Sequence, residues 1–332
     1  MKYIQEYLKF KKERKKQKKK LISSAKIINP IVVFWVAVTI FSWIFAILNI
    51  KLPQKVERNK PLLELKLFNV GHGNSLFIKT PKGKIILVDA GPSSKKAKEF
   101  CLPENASPWK NVIKRSFKDV GIKKIDILIL TSPLENFCGG AEDLIKDGFK
   151  VEKVIATKNY FPGPRFIPYR SVLSKFEEKG ILKFIKAGDI IFKEGNFLIQ
   201  VLSPLVDYSG LSNYEYNASM VLRIVYGNTA VVYGSSSFAL ALNHIASYKN
   251  LESDILITPY HSSSRSFSLS FLQKLSCNFC LISSGRGNKE DLPDAGILAI
   301  YDVLGIKYLR TDTNGTIRII SDGKIYEIET EY

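Results

Sequence analysis

The sequence is poor in histidine and cysteine and lacks the motifs that hold phosphates. It has three histidines and four cysteines in 332 residues. Cys101, Cys138, Cys277 and Cys280 are too few to staple a chain of this length into a disulfide scaffold. Cys277 and Cys280 form a CxxC, but no second pair completes a four-sulfur zinc site, and Asn278-Phe279 between them lie in an apolar run. They read as buried thiols first, a redox pair or disulfide second, and zinc ligands last. No phosphate loop or dinucleotide fingerprint occurs, since Gly285-Arg286-Gly287 lacks a third glycine. No G-x-S-x-G elbow presents a serine nucleophile. Nucleotide-dependent and elbow-serine chemistry therefore have no basis in this sequence.

Positive charge, by contrast, is abundant, at a formal +18. About half of it sits in residues 1–27, so the rest of the chain is only mildly basic. A strong nucleic-acid binder would carry a denser basic footprint in its folded part. Residues 28–50 contain no charged side chain. About 20 apolar residues span a bilayer as a helix, so this stretch is expected to be a retained transmembrane anchor. It is longer than the apolar core of a signal peptide, and no small-x-small cleavage site follows it. The positive-inside rule keeps residues 1–27 in the cytoplasm and sends the C-terminal domain to the outer side of the cell membrane. The lysine run is a topology determinant that can also rest on anionic lipid headgroups. Residues 51–61 are expected to be a linker, and residues 62–332 one folded domain.

That domain opens with alternating strands, Leu63 to Val70, Ser75 to Thr80 and Lys84 to Asp89, punctuated by Gly71-His72-Gly73 and Pro81-Lys82-Gly83. Its centre is the apolar run Ile127-Leu128-Ile129-Leu130, which ends abruptly in Thr131-Ser132-Pro133-Leu134-Glu135-Asn136-Phe137-Cys138-Gly139-Gly140. A short apolar run bounded by turn signals reads as a fully buried strand, and loops held by such strands are where chemistry concentrates. Helical spacing follows at Val112 to Val120, near Ala141 to Lys146, at Ser171 to Lys179 and at Ile297 to Gly305, with strands near Val151 to Ala156 and Phe197 to Ser203. Asn159 to Pro168 and Asp207 to Glu215 read as loops. A hairpin is expected around Gly227-Asn228.

The central loop resembles the signature of the metallo-β-lactamase fold, strand-Thr-His-x-His-x-Asp-His-x-Gly-Gly. Ser132, Leu134, Asn136 and Phe137 stand where that signature has His, His, Asp and His. Phe68-Asn69-Val70-Gly71-His72-Gly73-Asn74-Ser75, with Val88-Asp89-Ala90-Gly91, further resembles the metallo-β-lactamase-like domain of the ComEC family of competence DNA-uptake proteins. There the first motif usually reads Asp-Val-Gly-Gln-Gly-Asp, so Asn69, His72 and Asn74 depart from it. Asp89 matches the family's first acidic motif, whose role is mostly to position the ligand loop. The family's Gly-Asp after the later hairpin is Gly234-Ser235 here, and its Pro-His-His-Gly-Ser is Pro259-Tyr260-His261-Ser262-Ser263. The resemblance covers about residues 62–330.

The resemblance implies an α+β fold, an αββα sandwich of two mixed sheets, preceded here by one transmembrane helix. A catalytic metal needs about three His, Asp, Glu or Cys ligands and an open position for water. Of the family's positions, Ser132, Leu134, Asn136, Phe137, Ser235 and Tyr260 are degenerate, leaving Asp89 and His261 as residual candidates beside Glu135 and Cys138, which lie outside the old ligand positions. No metal or other cofactor is expected, zinc or manganese entering only if atypical ligands serve. His72 and His244 read as surface or satisfied histidines. The serines at 235–237 and 262–264, with His261 as base, could form a metal-free hydrolase; serines filling the space of an ion and hydrogen-bonding one another are the simpler account. The expected function is a non-catalytic, membrane-anchored ComEC-like protein of DNA uptake or the cell envelope. It would act by binding a protein partner, such as a channel subunit, or nucleic acid, with no small-molecule substrate. Two alternatives stand beside it: a metal-dependent hydrolase or nuclease using atypical ligands, and a purely structural envelope protein with no DNA connection.

Overall fold

The structure, a computed structural model, describes residues 2–24, 30–49, 55–159 and 161–332. The chain divides into two compact units, Met1–Gln54 and Lys55–Tyr332. The first holds two helices, α1 (Lys2–Ser24), rich in lysine, and α2 (Pro30–Asn49), which is apolar and free of charge. Among the described residues no helix is long and apolar enough to cross a membrane. The 20 residues of α2 lie within the expected span 28–50, but several of their side chains, with residues 28, 29 and 50, fall outside the described residues. Residues 51–54 of the expected linker do so as well. Its second part, residues 55–61, lies on the domain: Val56 is buried, its amide donates to Glu327 at 2.9 Å, and Arg58 pairs with Glu327 and Glu329.

The second unit runs β1 (Leu63–Leu67), β2 (Leu76–Lys79), β3 (Ile85–Val88), α3 (Lys114–Asp119), β4 (Lys124–Ile125), β5 (Ile127–Leu130), α4 (Glu135–Cys138), α5 (Gly140–Lys146), β6 (Lys150–Val151), β7 (Val154–Thr157), α6 (Ile167–Glu178) and β8 (Leu182–Ile185). Its second half runs β9 (Ile190–Glu194), β10 (Phe197–Val201), α7 (Tyr214–Asn217), β11 (Leu222–Tyr226), β12 (Thr229–Tyr233), α8 (Ala239–Ile245), β13 (Ile255–Ile257), α9 (Leu269–Leu275), β14 (Phe279–Ile282), α10 (Ala295–Val303), β15 (Lys307–Arg310), α11 (Thr311–Asn314), β16 (Ile317–Ser321) and β17 (Tyr326–Thr330).

Two mixed sheets result, in the orders β17-β16-β1-β2-β3-β5-β7-β8 and β15-β14-β13-β12-β11-β10-β9. The steps from β3 through β8 and from β12 through β15 are parallel, the others antiparallel. Leu65, Ile78, Val88 and Ile129 of the first sheet meet Ile199, Ile224, Val231 and Ile257 of the second in one apolar layer. A second layer lies under α3, α5 and α6, and a third under α8, α9 and α10. This is the expected four-layer αββα order. The parallel strands β3, β5, β7 and β13 are covered on both faces, which is why they read as unbroken apolar runs, whereas β1 alternates.

Several local expectations shift. The helix expected at Val112 to Val120 begins as one π-helical turn at Trp109–Ile113, with Trp109 buried and its Nε1 donating to Asp147 at 3.2 Å. The expected loop through Pro168 gives way to α6 from Ile167, because proline in a first helical turn lacks only an amide that has no helical acceptor; residue 160 of that loop lies outside the described residues. The loop expected at Asp207 to Glu215 runs into the short helix α7. The edge strands β8 and β9 have too little alternation to be read from sequence.

Candidate functional site

The loops that follow the parallel strands converge at one end of the sandwich. Asp89 follows β3, Thr131 and Ser132 follow β5, Ser235 and Ser236 follow β12, Tyr260 and His261 follow β13, and Ser283 follows β14. Ligands of open α/β sheets bind outside such carboxyl ends.

Asp89 is wholly buried and holds a left-handed backbone at φ 56°, a conformation Asp tolerates better than most residues. Its Oδ1 accepts the Thr131 amide at 2.8 Å, and its Oδ2 accepts Tyr233 OH at 2.7 Å and the Thr131 hydroxyl. Thr131 Oγ1 also contacts Ser235 Oγ at 2.6 Å. Burial nevertheless outweighs these bonds and raises the carboxyl to about 7. Asp89 thus fixes the start of the loop after β5.

The six degenerate positions divide into three groups. Ser132 Oγ bonds Ser236 Oγ at 2.8 Å, Ser219 Oγ bonds Ser237 Oγ at 2.8 Å, and Ser235 closes on Thr131, so neutral hydroxyls satisfy one another. Leu134 and Tyr260 turn into an apolar cluster with Phe238, Leu292 and Tyr216, where the Tyr216 and Phe238 rings stack at 4.0 Å. Tyr260 OH reaches both carboxylate oxygens of Glu290 at 3.1 Å. Asn136 and Phe137 pack on His261, Asn136 Nδ2 lying 3.0 Å from His261 Nε2 and the Phe137 ring centroid 5.9 Å from that of His261.

His261 is buried, and its Nδ1 donates to the Ser283 carbonyl at 2.7 Å, leaving Nε2 to accept from Asn136. His72, expected in a turn near this rim as a surface or satisfied histidine, is at the site but neither exposed nor satisfied at Nε2. It is 4% exposed, its ring lies 4.0 Å from that of His261, and its Nε2 has no partner. The unread signal was the pair of flanking glycines. A Cβ on Gly73 would come within 2.5 Å of the Asn136 carbonyl, and one on Gly71 within 2.3 Å of the Phe100 carbonyl, so this loop is pressed into the site. Tyr233 and Asn74, whose amide atoms lack partners by geometry, were also not foreseen. His244 is satisfied by Tyr208 OH at 2.9 Å.

Burial lowers His72 to about 4 and holds His261 well below the usual imidazole range, His72 pushing it further down. A histidine depressed in the folded state contributes stability that is fully present above its unfolded value, near 6.5, and is lost as pH falls toward the folded value. Between pH 7 and 4 the chain is therefore expected to lose about 3 kcal/mol relative to His72→Gln. Denaturant midpoints across that range would read it, and parallel profiles for the two proteins would refute it.

The remaining candidates do not join this group. Glu135 accepts the Ser93 amide at 3.2 Å and the Ser93 hydroxyl, burial raising its carboxyl, and Cys138, the last residue of α4, is buried, burial pushing its thiol well up. Among the described residues no three His, Cys, Asp or Glu side chains converge to hold a metal ion. The six replaced positions offer two hydroxyls bonded to neighbouring hydroxyls, an amide, a phenol and two hydrocarbons. They do not fit the family's metal, which takes anionic or imidazole ligands.

No protein-family model matches the chain. ComE operon protein 3 of Bacillus subtilis (strain 168) is 28% identical over 270 residues, covering 77% of this chain. The chain spans about a third of that relative's length, 32%. Among solved structures, a CmlA β-hydroxylase E377D mutant is similar over 80% of this chain and 54% of its own, at 14% identity and a TM-score of 0.49. A metallo-β-lactamase of Cronobacter sakazakii with a HARLDQ motif is similar over 58% of this chain and 76% of its own, at 12% identity and a TM-score of 0.36. The four-layer order, the loops gathered at the parallel strand ends and the sequence match make this chain a carrier of a metallo-β-lactamase-fold domain that resembles ComE operon protein 3, the ComEC protein.

Proposed function

We propose that the chain is a membrane-anchored, non-catalytic relative of ComEC whose domain acts by binding a protein partner at the cell envelope. The observation that carries this reading is the chemistry at the family's ligand positions. Ser132 is bonded to Ser236, Ser235 to Thr131, and Tyr260 is turned to Glu290. Each polar group there is spent on a neighbour, and none bears the charge that would hold a divalent ion.

Anchoring through residues 28–50 rests on the sequence, an uncharged apolar run that as a helix at 1.5 Å per residue would reach roughly 30 Å, about the thickness of a bilayer core. The lysines of α1 then stay on the cytoplasmic side, against anionic headgroups, and the domain lies outside. The resemblance to ComEC makes a channel subunit the partner this chain would serve in DNA uptake. Nucleic acid is the weaker choice, since about half of the excess charge lies outside the folded unit.

Metal content tests the reading. Full-length protein in detergent, incubated with zinc and manganese and then desalted, is expected to retain no stoichiometric ion by elemental mass spectrometry. One or two ions per chain would overturn it in favour of a hydrolase or nuclease with atypical ligands. One feature favours that second reading: the Ser283 carbonyl fixes the tautomer of His261 and leaves Nε2 with a lone pair, as in metal-ligating histidines. In that case His261→Ala would abolish both metal retention and activity. A chain lacking residues 1–27 that still binds DNA with a steep salt dependence would identify nucleic acid as the partner.

A further inference from the structure

The CxxC lies on the outer face of the second sheet, away from the site above. Cys277 follows α9, whose cap Ser276 turns left-handed at φ 52°, and Cys280 lies within β14. In an extended strand, residues three apart stand about 10 Å from each other and point to opposite faces. Here they do not. The amides of Asn278 and Phe279 both donate to the single carbonyl of Asp254, at 2.9 and 3.2 Å, so the chain bends instead of extending. The bend turns Cys277 back toward the side of the sheet that Cys280 faces. Both join Leu275, Ile297 and Tyr301 in one apolar cluster. Cys277 is 5% exposed and Cys280 is not exposed at all, so a reagent meets Cys277 first. Cys280 holds the Cys277 thiol below the usual range, while burial pushes Cys280 well up.

We propose that Cys277 and Cys280 form a redox-active pair that closes to an intrachain disulfide by exchange with a small-molecule or protein disulfide. The thiolate of Cys277 attacks one sulfur of that disulfide, and its partner sulfur leaves as a thiol. The Cys280 thiolate then attacks the Cys277 sulfur and releases the second thiol. Two electrons pass from the protein to the external disulfide, and the two thiol protons end on the released thiols. Closure in cells rests on the outward placement proposed above, because disulfides persist in oxidising compartments. Closure in the purified chain does not.

The test uses full-length protein in detergent, carrying Cys101→Ser so that the half-buried Cys101 does not compete, and mixtures of oxidised and reduced glutathione as probe. After unfolding and alkylation, the peptide holding residues 277–280 is expected unalkylated and lighter by two hydrogens, while the one with Cys138 is alkylated. Cys280→Ser is expected to trap glutathione on Cys277, and Cys277→Ser to trap none. Full alkylation of both cysteines at every glutathione ratio would overturn the proposal. Alkylation of intact cells separates the two readings: a disulfide in the purified chain with free thiols in cells keeps the pair and refutes the outward placement.

Discussion

Gly140→Ala is expected to cost about 3 kcal/mol, the upper range for forcing one extra carbon into a closed space. The added Cβ would lie 2.1 Å from the Ala90 carbonyl oxygen and 2.9 Å from its carbon. Neither side can yield cheaply, because backbone bonds hold both. The Gly140 amide donates to the Gly91 carbonyl at 2.8 Å, and the Ala90 amide donates to the Phe137 carbonyl at 2.8 Å. The second glycine of the pair is therefore a contact between α5 and the loop after β3, which places Asp89 against Thr131. Gly296→Ala is the control. In α10 its Cβ would meet only the Asp294 carboxylate oxygen, at 3.1 Å, and alanine favours a helix over glycine by about 1 kcal/mol. Denaturant unfolding of the three proteins decides the matter. A Gly140→Ala protein as stable as the wild type would mean that the loop after β3 moves freely, and the framework argument would fail.

The second large effect is at Asp89. Asp89→Ala removes the acceptor for the Thr131 amide and for Tyr233 OH, both buried, and is expected to cost about 3 kcal/mol or more. Asp89→Asn should behave differently. Its amide oxygen can keep the Thr131 amide, and its nitrogen can donate to the Thr131 and Tyr233 oxygens. Tyr233 can then turn its proton to the neighbouring side chain of Asn74.

The pH dependence separates the two. Burial raises the folded carboxyl from 3.8 to about 7, so the folded state binds the proton more tightly than the unfolded chain. Stability is then highest below the unfolded value and falls as pH rises toward the folded one, by about 4 kcal/mol across that window. This slope opposes that of the two histidines, and the wild type shows only their difference. In the Asp89→Asn protein the carboxyl slope vanishes, so it should gain stability steadily from pH 4 to 7 and exceed the wild type at neutral pH. Thermal midpoints from pH 4 to 8 would show this. If Asp89→Asn were as weak as Asp89→Ala at pH 7, the charge itself would be needed there.

Much of the fold was legible because its signals are local. The unbroken apolar run of β5 and the alternation in β1 follow from the number of faces each strand buries. The hairpin turn at Gly227-Asn228 follows from backbone chemistry, and β11 and β12 pair around it in register. The edge strands β8 and β9 carried no such pattern, since an edge buries too little of either face to impose one. Pro168 misled in one direction only: proline stops a helix from within but begins one without loss.

For the site, the sequence by itself determined which chemical groups stand after each strand, and so which ligands of the resembled family are replaced. It could not tell what those groups touch. Ser132 meets Ser236, and Thr131 meets Ser235, across a separation of 104 residues in each case. His72 looked like a turn residue because nothing local distinguishes an exposed turn from one pressed into a core. Its neighbour His261 lies in a distant loop, from which only the packing of β13 against β12 and β14 brings it close. Residue types are local facts, whereas burial, tautomer and proton affinity are set by neighbours that only tertiary folding supplies.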